Sequence, residues 1–370
     1  MRSRIFIVVV LVAAAVAALA GANPAATAPD ATPPNPLTAV LKQIKGLKPA
    51  ARQAKLLDLA KAESGNIQWY TSLSSLISKP VEEAFEKQFD LKVDRFRASS
   101  ETVSARISSE ADANKSGADV LETNGTDMIF FQNRRDVLVP YSSSPFRKAI
   151  PKSGRYATFT ADRVEKYAVS WNTNALPAGG PPKSWEDLAS ARFKGKISME
   201  PTDQDWFAAL WTYLSKKKHW SSAKLNRVFS GIAKNSVITK GHTTMATLLA
   251  AGQFAVALSP HAQSIQQLED DGAPLAFKPF VNPVIFRNQG IGIVYRLKHP
   301  AGALLFYDWL LDKAGGQRVL LENNSEPARR DLGENTFKGA KTTSMDLRSI
   351  VARFDFWTKK YDSFIRQVGS

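Results

Sequence analysis

The sequence predicts an α/β protein built in two lobes. Between Asn66 and Thr126, three strand-like runs alternate with two helix-like runs, the order of a parallel sheet with right-handed crossovers. The chain has 370 residues, enough for two ordinary cores. Extended segments near 164–172 and 280–290 are placed to pass between two such lobes and form a hinge. Hydrophobic residues at 44% and charged residues at 22% set aside a disordered or membrane-embedded chain.

Taken in order, Arg2 and Arg4 precede an apolar run from Ile5 to Leu19 and then small residues. That is the layout of a cleavable signal peptide over 1–22, with Ala18-Leu19-Ala20 and Ala20-Gly21-Ala22 as acceptable cleavage sites. The run is short of the roughly 20 apolar residues of a bilayer span, the alternative being an uncleaved anchor. Export to the periplasm is therefore expected. Residues 23–64 form a leader and a helical region. Asn23–Pro36 is rich in Ala, Pro and Thr without periodicity, and Leu37–Glu63 is helical, broken at Pro49 and closed by Ser64-Gly65.

The first lobe is expected over 65–165 with 285–370, and the second over 166–284. Strands are predicted at Ile67–Trp69, Lys92–Phe96 and Ala118–Leu121, with helices at Lys79–Phe89 and Val103–Ala111 between them. Tyr167–Trp171 is extended and leads to a short capped helix at Ser184–Leu188. Strands follow at Lys196–Met199 and Phe254–Leu258, and helices at Asp203–Ser215 and Thr244–Ala251. Val281–Tyr295 returns as extended chain. Leu304–Leu311 and the amphipathic tail Leu347–Val368 are helical.

The net charge of +15 suits nucleic acid, an anionic membrane or an anionic solute. Export argues against nucleic acid. The absence of cysteine rules out disulfides, thiol catalysis, thiolate metal sites and a cysteine-borne lipid anchor, so a soluble monomer is expected. No nucleophile elbow, zinc-protease motif, Walker loop or dinucleotide fingerprint is present, and only four histidines are scattered along the chain. Neither an enzyme nor a bound cofactor or metal is expected.

What the residues do suggest is a small-ligand site. Each early strand ends in a polar cluster that opens a helix: Tyr70, Thr71 and Ser72; Arg97, Ser99 and Ser100; Thr123, Asn124 and Gly125. In a parallel sheet these ends share one edge. A guanidinium beside helix N–H groups makes an anion site, and Gly125 permits close backbone approach. In the second lobe His242, Thr243 and Thr244 open another helix, Thr202 and Asp203 end a strand, and His261 follows Phe254–Leu258. Trp171, Asn172 and Arg287 lie on the crossing segments. Each has a plainer role open to it: Ser99 as a helix cap, Tyr70 and Trp171 as core, Thr123–Gly125 as a turn. The preferred ligand is a small anion, because the convergent groups are donors.

Several stretches, in order, resemble a family. They include Ala60–Gly65, Trp69–Leu73, Val81–Phe89, Ala118–Gly125, Val169–Thr173, Ser184–Leu188, Gly195–Ile197, Ala250–Leu258 and Glu326–Arg329. Together they look like a periplasmic solute-binding protein of an ABC importer, in the ferric-iron or "family 1 extracellular" subgroup. The resemblance implies a type II periplasmic binding fold, two mixed sheets joined by hinge strands, with an ABC permease in the inner membrane as partner. Iron-binding members hold the metal with adjacent tyrosines, where this chain has Ser259-Pro260-His261-Ala262-Gln263, and none of its tyrosines has a tyrosine neighbour. The alternatives to a small anion are a ferric ion held by His261, Tyr70 and carboxylates, or a role as the ligand-sensing partner of a membrane receptor.

Overall fold

The computed structural model describes residues 36–115, 117–332 and 337–370. The predicted signal peptide and all of the leader before Pro36 lie outside them. Helices α1 (Leu37–Gln43) and α2 (Pro49–Lys61) come first. Pro49 fits the opening turn of α2, where its missing N–H has no helical partner to lose.

The predicted alternation follows: β1 (Ile67–Thr71), α3 (Ser75–Phe89), β2 (Val93–Arg97), α4 (Ser100–Asp112) and β3 (Val120–Asn124), then α5 (Gly125–Gln132). Strand β4 (Phe159–Tyr167) leads to β5 (Ser170–Asn172), α6 (Trp185–Leu188), β6 (Ile197–Met199), α7 (Gln204–Lys218) and α8 (Ser222–Lys234). Next come β7 (Ser236–Ile238), α9 (His242–Ala250), β8 (Val256–Ala257), α10 (Ala262–Asp270) and β9 (Leu275–Ala276). The chain returns along β10 (Val284–Ile293) to α11 (Pro300–Leu310), α12 (Gly316–Glu322), β11 (Thr342–Ser344), α13 (Leu347–Val351) and α14 (Phe354–Ile365).

Two sheets result. The first runs β11-β10-β3-β1-β2, with β4 also paired to β10. Strands β1, β2 and β3 are parallel, so their C-terminal ends share one edge, as expected. The second runs β7-β6-β8-β5-β9. Only Ala168 and Val169 separate β4 in one sheet from β5 in the other, and the segment between β9 and β10 makes the return crossing. Both crossings fall on the segments that the sequence marks as extended.

Each sheet has aromatic packing of its own, and one apolar cluster spans both, from Tyr70 and Leu121 to Trp171 and Phe207. In the first, Phe85 on α3 meets Phe306 and Trp309 of α11 at 5.0 and 5.3 Å, and Trp69 of β1 meets Phe306 at 5.0 Å. The N-terminal helices lay Leu37, Val40, Leu56 and Ala60 into this cluster, where Arg52 pairs with Asp308 at 2.7 Å. In the second, Phe207 and Trp211 of α7 pack with Phe229 of α8.

Two differences from expectation concern the last third. The tail is not one helix but two, broken at Ala352-Arg353. Nor does it stay with the first lobe: α14 sets Tyr361 against Phe207 at 5.0 Å and Phe364 against Phe229 at 5.8 Å. Aromatic matching decides its seat. Helices α8, α10 and α12 had no expected counterpart, although Leu225, Val228, Phe229 and Ile232 keep a helical spacing on α8.

Candidate functional site

A cavity of about 460 Å³ opens between the sheets, where strand ends and crossing strands meet. Helices α3, α4 and α5 of the first lobe and α7, α9 and α10 of the second all turn their first-turn residues into it. Each N-terminus brings N–H groups that lack a helical partner and a partial positive charge. Ser99 caps α4 through Thr102 N at 3.3 Å, and Asn124 caps α5 through Asp127 N at 2.9 Å. Helices α3, α9 and α10 receive no hydrogen bond from a capping side chain. Gly241, at φ +91°, lets the chain turn into α9 through a conformation that side-chain-bearing residues rarely adopt.

Of the predicted residues, Ser72, Arg97, Ser99, Ser100, Asn124, Thr202, Asp203, His242, Thr243, Thr244, His261 and Arg287 line this cavity. Arg97 is exposed and donates Nε to Leu73 O at 3.2 Å, which anchors the side chain and leaves its Nη groups unspent among the described residues.

The rest are drawn elsewhere. Tyr70 packs in the core and donates Oη to Glu110 Oε1 at 2.8 Å, beside a different depression, and burial pushes its phenol up to about 12. Thr71 is buried and donates to Glu122. Thr123 is buried within the sheet. Gly125 serves close packing rather than a ligand: a Cβ there would meet Asn288 O at 2.2 Å, and its N–H goes to Gln289 Oε1 at 3.1 Å. Trp171 is second-lobe core. Asn172 donates Nδ2 to Leu249 O and Ala250 O at 2.9 and 3.1 Å, closing the C-terminal end of α9.

The cavity floor holds charge pairs of which the sequence singled out only Arg287. Arg163, on β4, pairs with Glu122 at 3.0 Å and Glu165 at 3.1 Å. Arg287, on β10, pairs with Asp205 at 2.9 Å, and Thr126 Oγ1 donates to the same Asp205 oxygen at 2.6 Å, joining the two lobes directly. Burial opposes ionisation of Asp205, but Arg287 and Thr126 hold its carboxyl below the usual range. Burial likewise opposes ionisation of Glu165, while His261, Arg163 and Gln263 bring it down to about 2. With His261 neutral, Arg163, Gln263 and Arg287 are the groups left to favour the ionised carboxyl. One signal was available: four charged residues, Asp162, Arg163, Glu165 and Lys166, crowd a nine-residue strand.

Two histidines stack at 4.4 Å with opposite tendencies. His242 approaches Ser259 O through Nδ1 at 2.9 Å and Asp203 through Nε2 at 3.2 Å. Burial lowers its pKa, but Asp203 outweighs this and raises it. With both ring nitrogens donating, His242 has no lone pair for a metal. His261 lies 3.7 Å from Glu165, yet burial drives its pKa down to about 3. Among the described residues, no group of three or more His, Asp or Glu is placed to hold a metal ion.

The profile of the bacterial extracellular solute-binding protein family matches residues 82–329. The chain belongs to that family. Its members bind solutes, and the cavity between the sheets is the candidate site for one. No curated protein sequence matches. Among solved structures, the chain is similar to the periplasmic binding protein AfuA from Actinobacillus pleuropneumoniae, with fructose-6-phosphate bound: 20% identity, TM-score 0.68, covering 82% of this chain and 99% of that one. It is also similar to iron-bound HitA from Pseudomonas aeruginosa (15% identity, TM-score 0.65, 82% and 99% covered). A third is a ferric binding protein from Campylobacter jejuni (20%, 0.66, 81% and 99%). The likeness establishes the two-lobe fold of periplasmic binding proteins for this chain.

Proposed function

We propose that this protein is the periplasmic binding component of an ABC importer and captures a small anionic solute between its lobes. The observation that carries this is the convergence of six helix N-termini on one cavity, with Arg97, Ser99 and Ser100 on one wall and Thr243 and Thr244 on the other. The carboxylates of the floor are answered within the protein. Asp205 and Glu165 are paired with arginines, Asp203 with His242 and Ser259, and Glu200 accepts from Thr202 Oγ1 at 2.8 Å and Gly241 N at 3.2 Å. Ser99 is engaged with Thr102, so among the described residues the Arg97 Nη groups and the hydroxyls of Ser100, Thr243 and Thr244 are left for the ligand.

A solute touching both walls favours closure, because only the closed form offers both sets of contacts. The phosphorylated sugar of AfuA belongs to the preferred class. A ferric ligand held by His261, Tyr70 and carboxylates is less well supported, since Tyr70 lies beside another depression and Glu165, Asp203 and Asp205 are paired within the protein. A thermal-shift panel tests the choice. A ligand at about 1,000 times its Kd adds roughly 4 kcal/mol of stability. Phosphate and sugar phosphates should raise the melting temperature of the wild type, and Arg97→Ala should remove most of that rise. A rise with Fe(III) alone, together with a visible charge-transfer band, would overturn the proposal.

A further inference from the structure

Asp127 is, with Glu101, one of two acids in a wall that otherwise offers donors. It stands in the first turn of α5, lines the cavity and packs against α4. Its Oδ2 accepts from Ser104 Oγ at 2.7 Å and from Asn124 Nδ2 at 3.0 Å, both neutral donors. The guanidinium whose charge reaches it, Arg287, is already bound to Asp205. Glu101 on α4 and Asp205 on α7 add negative charge from two further elements. Ser104 is one helical turn beyond Ser100, so the acid sits beside the Arg97–Ser99–Ser100 cluster.

An anion drawn to those donors meets a carboxyl group. Two ionised oxygens in contact repel, whereas a single proton between them makes a strong O–H···O⁻ hydrogen bond. A phosphate monoester, with a second pKa of about 6, readily carries or accepts that proton near neutrality. A sulfate ester is fully ionised and does not. We propose that Asp127 is a specificity-determining residue that selects a proton-bearing oxyanion (phosphate, a phosphate ester or a phosphonate) over a sulfuryl group. The inference rests on the anion reading of the cleft. The proton comes with the ligand, sits on the carboxyl, or is taken from solvent when both arrive ionised. Burial, only partly opposed by Ser104 and Arg287, raises the Asp127 pKa to about 7, so such a proton is available in the physiological range.

The test is titration calorimetry of the purified protein with two matched pairs, inorganic phosphate against sulfate and glucose 6-phosphate against glucose 6-sulfate. The phosphoryl member should bind about a hundredfold more tightly, as expected where a site built around a hydrogen bond meets an analogue lacking it. Repeating the titrations above the Asp127 pKa in buffers of unequal ionisation enthalpy should reveal proton uptake with phosphoryl ligands. Asp127→Asn should bring each pair to within about tenfold and abolish the uptake, because its amide can donate to either anion. Equal wild-type affinities within each pair would overturn this inference and leave the anion reading standing. Binding of none of the four would remove both. The wild-type comparison decides the matter even if Asp127→Asn folds poorly.

Discussion

The first-lobe wall of the cleft and its floor are built in opposite ways. On the wall, Arg97 and Ser99 are exposed, and the nearby N-terminus of α3 lacks a side-chain cap. On the floor, Arg163 and Glu165 are almost wholly buried and answered by partners inside the protein. An unsatisfied donor facing water costs little and is free to bind. A buried charge must be compensated before the chain can fold. On the proposed reading the wall selects the ligand, while floor pairs such as Arg287–Asp205 link the two lobes.

Substitutions should separate the two. Arg163→Met leaves Glu122 and Glu165 buried without their cation and should cost about 3–5 kcal/mol in urea denaturation. Adding Glu122→Gln should recover part of that loss. Arg97→Ala, which abolishes most anion-induced stabilisation, should change unliganded stability by no more than about 0.5 kcal/mol. A large loss of unliganded stability from Arg97→Ala, or a negligible one from Arg163→Met, would erase the contrast.

The smallest effect lies in pH dependence. His261 has a folded pKa depressed to about 3, so folding favours its neutral ring. Its contribution is present above the unfolded value of about 6.5 and is lost as pH falls toward the folded one, about 1–2 kcal/mol by about pH 5. His242 and His299 have raised values: burial opposes the charged ring, but Asp203 and Asp119 respectively outweigh it. Their contributions are present below about 6.5 and are lost as pH rises through the folded pKa. His261→Gln should therefore flatten the acid limb of the stability profile and leave the alkaline limb in place.

The contrast also explains what was legible in the sequence. Wall residues sit at strand ends and helix starts, so turn and capping chemistry written in consecutive residues points to Arg97, Ser99, Ser100, Thr243 and Thr244. The crossings were legible for the same reason, as extended runs. Floor pairs were not. Arg163 meets Glu122, 41 residues earlier in the sequence, and Arg287 meets Asp205 from another lobe. The crowding of charges on β4 is local, but it does not say which partners compensate them. Tyr70 and Asn172 failed in the other direction: strand-end position suggested a ligand contact, but tertiary partners, Glu110 and the end of α9, took their polar groups.

Hydrogen–deuterium exchange with and without glucose 6-phosphate tests the central claim most directly. If both walls hold the anion, amides in the first turns of α4 and α9 gain protection together at saturating ligand. Protection of one helix start without the other, or of neither despite measured binding, would contradict a ligand shared between the lobes.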